Sequence, residues 1–125
     1  MATYRIDRIN KELLRLISEM LMTRIKNDDA AKAVLTKAFV SRDLSFARVY
    51  YTVIKEEERA AVQTALEAAA VPLRAMLGKE LKLRTIPELH FIYDDSEDKA
   101  REMDDLLDRV AALESQRAAE KEAGR

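Results

Sequence analysis

Between Arg5 and Lys26 apolar residues fall at Ile6, Ile9, Leu13, Ile17, Met20 and Leu21, the three-to-four spacing of a helix that buries one face. A turn of about 100° per residue places Arg8, Lys11, Arg15 and Lys26 together on the opposite side, bordered by Glu12 and Glu19. After a polar stretch around Asn27 to Lys32 the period changes to two. Val34, Thr36, Ala38 and Val40 alternate with Leu35, Lys37 and Phe39, and Ala47, Val49, Tyr51 and Val53 alternate with Arg48, Tyr50, Thr52 and Ile54. The polar link Ser41-Arg42-Asp43-Leu44-Ser45 is rich in turn formers, so the two runs predict an antiparallel hairpin.

Glu56, Glu57 and Glu58 then open a second long helix, where acidic side chains suit the positive end of the dipole. Val62, Leu66, Ala69, Leu73 and Leu77 supply its buried face. Pro72 lacks an amide donor and biases Val71 away from the helical region, so the spacing predicts a stop near Ala70 and a restart at Pro72. Such a break would leave amides around Leu73 and Arg74 free to meet a phosphate, or would serve only to wrap the helix around a sheet. Leu89 to Tyr93 reads as a third strand. A last helix begins near Ser96 with Met103, Leu106, Leu107, Val110 and Leu113 on one face, and from Glu114 onward loss of periodicity predicts fraying. The order is helix, strand, strand, broken helix pair, strand, helix: an α+β chain with no repeat and no linker.

At 125 residues this is one domain's worth of chain. The absence of cysteine excludes disulfides and thiol chemistry and fits a reducing compartment. Apolar runs no longer than four residues argue against a membrane span or secretory signal, so a cytoplasmic protein is expected. The net charge of −1 hides a local asymmetry: residues 1–26 carry +3, residues 69–90 carry +2 and residues 94–125 carry −5. Two basic regions suggest an anionic partner, nucleic acid first.

Little here suggests catalysis. His90 is the one histidine, so no His/Cys metal cluster can form. Asp94, Asp95, Glu97 and Asp98 lack the glycine and spacing of a calcium loop and read as helix-start chemistry. The serines around Asp43 have no base. No enzyme activity, cofactor or metal is expected.

Three stretches, taken in order, resemble the ribosome-binding factor A family. They are the opening helix with Arg5-Ile6 and Glu12-Leu13; Val40 to Ser45 followed by Ala47 to Tyr50; and Leu77 to Arg84 with Pro87 to Phe91 and Tyr93 to Ser96. The resemblance covers roughly residues 5–96. It implies a KH-like fold of the type II topology over residues 5–95, with residues 96–125 as a C-terminal helix and polar tail. Ordinary KH domains clamp nucleic acid with a GxxG loop, which this chain lacks. Family members carry a helix-kink-helix with an Ala-x-Gly motif; here Ala69, Ala70 and Val71 stand at those positions, followed by Pro72.

The function implied is non-catalytic: binding of free, immature small (30S) ribosomal subunits and help with late 16S rRNA maturation, often linked to growth in the cold. Charge and position then suggest Arg8, Lys11 and Arg15 for phosphate contact on the first helix, Arg74, Lys79, Lys82 and Arg84 beside the kink, and Arg42 in the hairpin link. Each is equally readable as a plain solvated surface residue. The expected partners are the 30S subunit and its 16S rRNA, with subunit-maturation GTPases as further candidates, and a monomer is expected. Two rival readings stand beside this one. The first is a KH-like translation or hibernation factor that binds mature ribosomes; the second is an adaptor presenting the Met103–Leu113 helix to a protein groove.

Overall fold

The computed structural model describes residues 2–123. Its backbone forms two compact units, the first ending at Asp94 and the second beginning at Asp95. In chain order the elements are α1 (Ala2–Thr23), α2 (Asp28–Ala31), β1 (Val34–Val40), β2 (Phe46–Thr52), a 3₁₀ turn (Glu56–Glu58), α3 (Arg59–Glu80), β3 (Glu88–Tyr93) and α4 (Ser96–Ala123). The fold is α+β, as the hydrophobic periods require.

The first unit is a three-stranded sheet in the order β1-β2-β3 with helices against one face. β1 and β2 form the expected antiparallel hairpin, and β3 returns through α3 to pair parallel to β2. Central β2 sets the packing: Ala47, Val49 and Tyr51 are fully buried, while Phe46 before them and Arg48 between them are exposed. Leu13, Ile17, Met20 and Leu21 of α1 and Val62, Leu66, Leu73 and Leu77 of α3 close over that buried set in one cluster. The Tyr51 hydroxyl donates to Gln63 Oε1, and Gln63 Nε2 donates to Glu67 (2.9 Å) and to the Phe91 carbonyl (3.2 Å). One glutamine thus satisfies the phenol buried under α3 and ties the helix to β3.

Four expectations are corrected. The polar stretch contains a short helix, α2: Asn27 Oδ1 accepts from the amides of Asp29 (3.0 Å) and Ala30 (3.1 Å), and Ala30 is fully buried. In β1 the register shifts between Leu35 and Lys37, so the simple alternation fails. Thr36 Oγ1 donates instead to Tyr50 O (3.3 Å) and Asp94 Oδ2 (2.7 Å), and Leu35 rather than Val34 packs toward the core. The break at Ala70 and the restart at Pro72 do not occur, and Ala69, Ala70, Val71 and Pro72 all lie inside the continuous α3. Pro72 is on the exposed side, where water can take up the carbonyl it orphans, while Ala69, Leu73 and Leu77 carry the buried face across it. Finally, α4 stays helical to Ala123, because residues 111–123 are dominated by strong helix formers even without an apolar stripe; Gly124 and Arg125 lie outside the described residues.

Within the second unit, Lys99–Asp95 (3.4 Å), Arg101–Glu97 (3.7 Å) and Arg101–Asp98 (3.9 Å) staple the first turns of α4. Its predicted apolar residues, Met103, Leu106, Leu107, Val110 and Leu113, remain exposed.

Because Pro72 occupies an exposed helix interior, Pro72→Ala should raise stability by about 1–3 kcal/mol. A urea or thermal unfolding curve checks this; an unchanged midpoint would mean that the missing hydrogen bond costs the helix nothing.

Candidate nucleic-acid interface

The cations named from the sequence fall into three places. On α1, Arg8, Lys11 and Arg15 share one exposed side of the helix. They are not equivalent. Arg15 pairs with Glu12 (2.5 Å) and Glu19 (3.5 Å), and beyond them Arg24 pairs with Glu80 at the end of α3 (3.2 Å). The hydrogen bond from Arg15 holds the Glu12 carboxyl below the usual range, and the same bond raises the guanidinium above its own. Arg8 and Lys11 form no ion pair among the described residues. Lys11 lines a shallow hollow of about 270 Å³ between α1 and β1, beside Lys37 and Phe39. Lys26, the fourth member of the predicted stripe, lies beyond the end of the helix.

Arg42 stands apart, exposed in the hairpin link. That link is held by Asp43, whose Oδ1 accepts from Ser41 Oγ (2.8 Å), Ser45 Oγ (2.7 Å) and the Ser45 amide (3.1 Å). Leu44 sits in the left-handed region at φ 60°, so the turn is specified by hydrogen bonds rather than by glycine. The serine hydroxyls near Asp43 therefore have a structural use.

The third group lies on and after α3. The Arg74 guanidinium donates to the Ile86 carbonyl (3.0 and 3.3 Å), clamping the segment 81–87 to the helix. Lys79, Lys82 and Arg84 are exposed and form no ion pair among the described residues. With α3 continuous, no ring of free amides forms at Leu73 and Arg74, so any phosphate there would be held by side chains.

Nothing in the hydrophobic pattern pointed to the groove between α3 and β3. Gln63, Glu67, Val71 and Arg74 on the helix face Glu88, His90 and Ile92 on the strand across an open space of about 820 Å³, and Phe46 and Arg48 line its far side. β3 is an edge strand, and one of its free carbonyls, that of Phe91, is already taken by Gln63. Val71, at the position of the family glycine, is 79% exposed beside this groove. The signal for Arg48 and His90 was present in the alternation of their strands; Gln63 and Glu67 had none, because helix-to-edge contacts depend on topology. Among the described residues no cluster of His, Asp or Glu could hold a metal ion.

A family model described as ribosome-binding factor A matches residues 5–107. The chain belongs to the ribosome-binding factor A family. It is 36% identical to the family member of Chromobacterium violaceum over 120 residues, 96% of this chain and 87% of that one. To the protein of Neisseria gonorrhoeae it is 38% identical over 86% of this chain and 88% of that one. The solved ribosome-binding factor A of Thermus thermophilus superposes with a TM-score of 0.62 at 24% identity, covering 70% of this chain and 94% of that one. The Thermotoga maritima protein, described as a putative ribosome binding factor A, gives 0.62 at 26% identity over 71% and 86%. These similarities fix the architecture as the KH-like type II fold of the family. A further set of Thermus thermophilus coordinates, fitted into a cryo-EM map of a 30S–RbfA complex, gives 0.56 at 26% identity over 69% and 91%.

The Asp43 contacts generate a pH dependence. Hydrogen bonds from Ser45 and then Ser41 lower the Asp43 pKa, so their stabilisation is complete above the usual aspartate range and is lost as pH falls through the lowered folded value. The Ser45 amide resonance should hold its native position down to the usual aspartate range and shift only below it. In Asp43→Asn the acid transition should vanish; a Ser45 titration that persists in the variant would assign it to another group.

Proposed function

We propose that this chain binds free, immature 30S subunits and assists late 16S rRNA maturation as a non-catalytic assembly factor. Family membership over residues 5–107 carries the reading, and the Thermus thermophilus member seated in a 30S complex supports the choice of partner. The exposed cations Arg8, Lys11, Lys79, Lys82 and Arg84, which form no ion pair among the described residues, are suited to phosphate contact, which supplies affinity without reading sequence. Arg74 contributes less freely because it already holds the Ile86 carbonyl, and Arg15 less still among its carboxylates. Arg42, exposed on the hairpin link, extends the set. In this reading the protein acts as a monomer in the cytoplasm, its need is greatest in the cold, where misfolded RNA escapes slowly, and its release is the natural point for a subunit-maturation GTPase.

The test is co-sedimentation of the purified protein with immature 30S, mature 30S and whole ribosomes at two salt concentrations. Salt-sensitive binding that favours immature 30S and is absent from whole ribosomes is expected. Equal binding to whole ribosomes would turn the reading toward hibernation, and no binding at all would sink it. Reversing Arg8 and Lys11 to glutamate should weaken binding and reduce the slope of log affinity against log salt by about 1 for each phosphate no longer neutralised. Arg15→Glu should do less, since its charge is already offset. The opposite ranking would move the RNA-facing surface toward the end of α1.

A further inference from the structure

The helices of the first unit cover one face of the sheet and leave the other to solvent. The free face carries Lys37 and Phe39 from β1, Phe46, Arg48 and Tyr50 from β2, and His90 from β3. Strand register sets Arg48 directly between Phe39 and His90, with Phe46 and Tyr50 two positions away along its own strand. Four ring-bearing positions therefore surround that of Arg48 on the sheet. Phe39 and Tyr50 meet edge to face at 6.1 Å, as do Phe46 and His90 at 6.1 Å. Lys37 Nζ lies 4.9 Å from the Tyr50 ring centre and 6.0 Å from that of Phe39.

Phe39 is 46% exposed and Phe46 40%, an unfavourable use of aromatic surface unless something covers it. The charge pattern selects the occupant. A protein-docking patch also gathers rings and arginine at its centre but is depleted in lysine, so the lysine over these rings is what discriminates. Here the centre is Arg48, which has no ion pair or hydrogen bond among the described residues, and a second cation flanks the rings. Glu88 lies opposite Phe46 at the start of β3, 3.9 Å from His90 Nε2, and Glu67 of α3 lines the groove at the same edge. Rings interleaved with cations match a single strand of nucleic acid, whose bases stack on flat faces while its phosphates need positive charge. The hollow that joins Lys37 and Phe39 to Lys11, with Asp7 also on its wall, links this face to α1.

We propose that the open face of the sheet is a stacking platform for single-stranded RNA. Unpaired bases lie on the rings of Phe39, Phe46 and His90, and Arg48 and Lys37 hold the intervening phosphates. The platform deepens the RNA-binding reading above by naming the state of the RNA it accepts.

The test uses the full chain and a labelled, unstructured single-stranded RNA of about 12 nucleotides, within the site sizes of such surfaces. A duplex of the same length serves for comparison, and 30S co-sedimentation is run on the same preparations. Phe39→Leu and Phe46→Leu keep apolar bulk on the strands but remove the flat ring. Each should weaken single-strand binding about ten-fold and leave duplex binding unchanged, whereas Phe46→Tyr, which keeps a ring, should bind as the parent does. Arg48→Gln loses no internal partner and gives a second probe should either leucine variant melt early; it too should weaken binding, with a shallower salt dependence.

Unchanged single-strand affinity in the leucine and glutamine variants would overturn the platform, as would a preference of the parent protein for duplex. If the parent binds no single strand, yet the leucine variants lose 30S subunits, the face docks a protein and the proposal is wrong. Ring-dependent single-strand binding without any 30S binding would uphold the platform and remove the ribosomal reading instead.

Discussion

The alternation along β2 is the constraint on which the rest of the first unit depends. β2 pairs with both neighbours, so its register fixes which residues of β1 and β3 face the helices. A slip of one residue would bring Arg48 and Tyr50 under α1 and α3 and expel Val49 and Tyr51, exchanging a dry core for an unpaired buried charge. The arrangement tolerates the Tyr51 hydroxyl because Gln63 meets it, and that same glutamine reaches the free edge of β3. Core burial and the attachment of α3 to the sheet edge are therefore joined through one side chain.

Among the described residues no charged side chain is buried, so electrostatics contributes little to holding the first unit together. Its ion pairs lie at the surface, where pairs are worth about 0–1 kcal/mol. Their effect is to sort the cations. Glu12, Glu19 and Glu80 neutralise Arg15 and Arg24 near the meeting of α1 and α3, and Asp29 and Glu58 share Lys32. Arg8, Lys11, Lys79, Lys82 and Arg84 form no ion pair among the described residues. A net charge near zero thus coexists with local positive potential, and at physiological ionic strength only the local part acts, because the Debye length is about 8 Å.

The sequence disclosed most where burial imposes a period. The buried faces of α1 and α3, the hairpin and β3 followed from spacing alone, and the resemblance on Val40 to Ser45 and Leu77 to Arg84 led to the right family. It disclosed least where a local rule competes with packing. Proline predicted a break, but an exposed Pro72 between buried Ala69 and Leu73 does not stop a helix whose other face is anchored on both sides. Four residues of α2 are too few to show a period, and the shift at Thr36 depends on a hydrogen bond to Asp94, far along the chain. Arg48 was visible as the outward half of an alternating strand and His90 as a member of another, whereas Phe46 was not singled out. What the sequence could not supply was the strand order that gathers them onto one surface, since a parallel β3 beside β2 is a fact of topology.

That gathering bears on how such a protein could tell one state of RNA from another. Phosphates are present in every state of an rRNA, folded or not, so on the proposed reading cations on α1 and after α3 would give attraction without discrimination. Stacking is different, because a base already paired within a helix offers only its edges. A face whose affinity comes from Phe39, Phe46 and His90 would respond to whether a segment is still unpaired. Placing rings and cations on one sheet would make both conditions apply to the same stretch of strand: charge would bring it in, and only exposed bases would hold it there. When the segment finds its partner and its bases stack internally, the bases leave the rings while the phosphates stay beside the cations, and binding falls toward its non-specific level. On this account completion of the RNA structure would itself weaken the complex, with no chemical step on the protein.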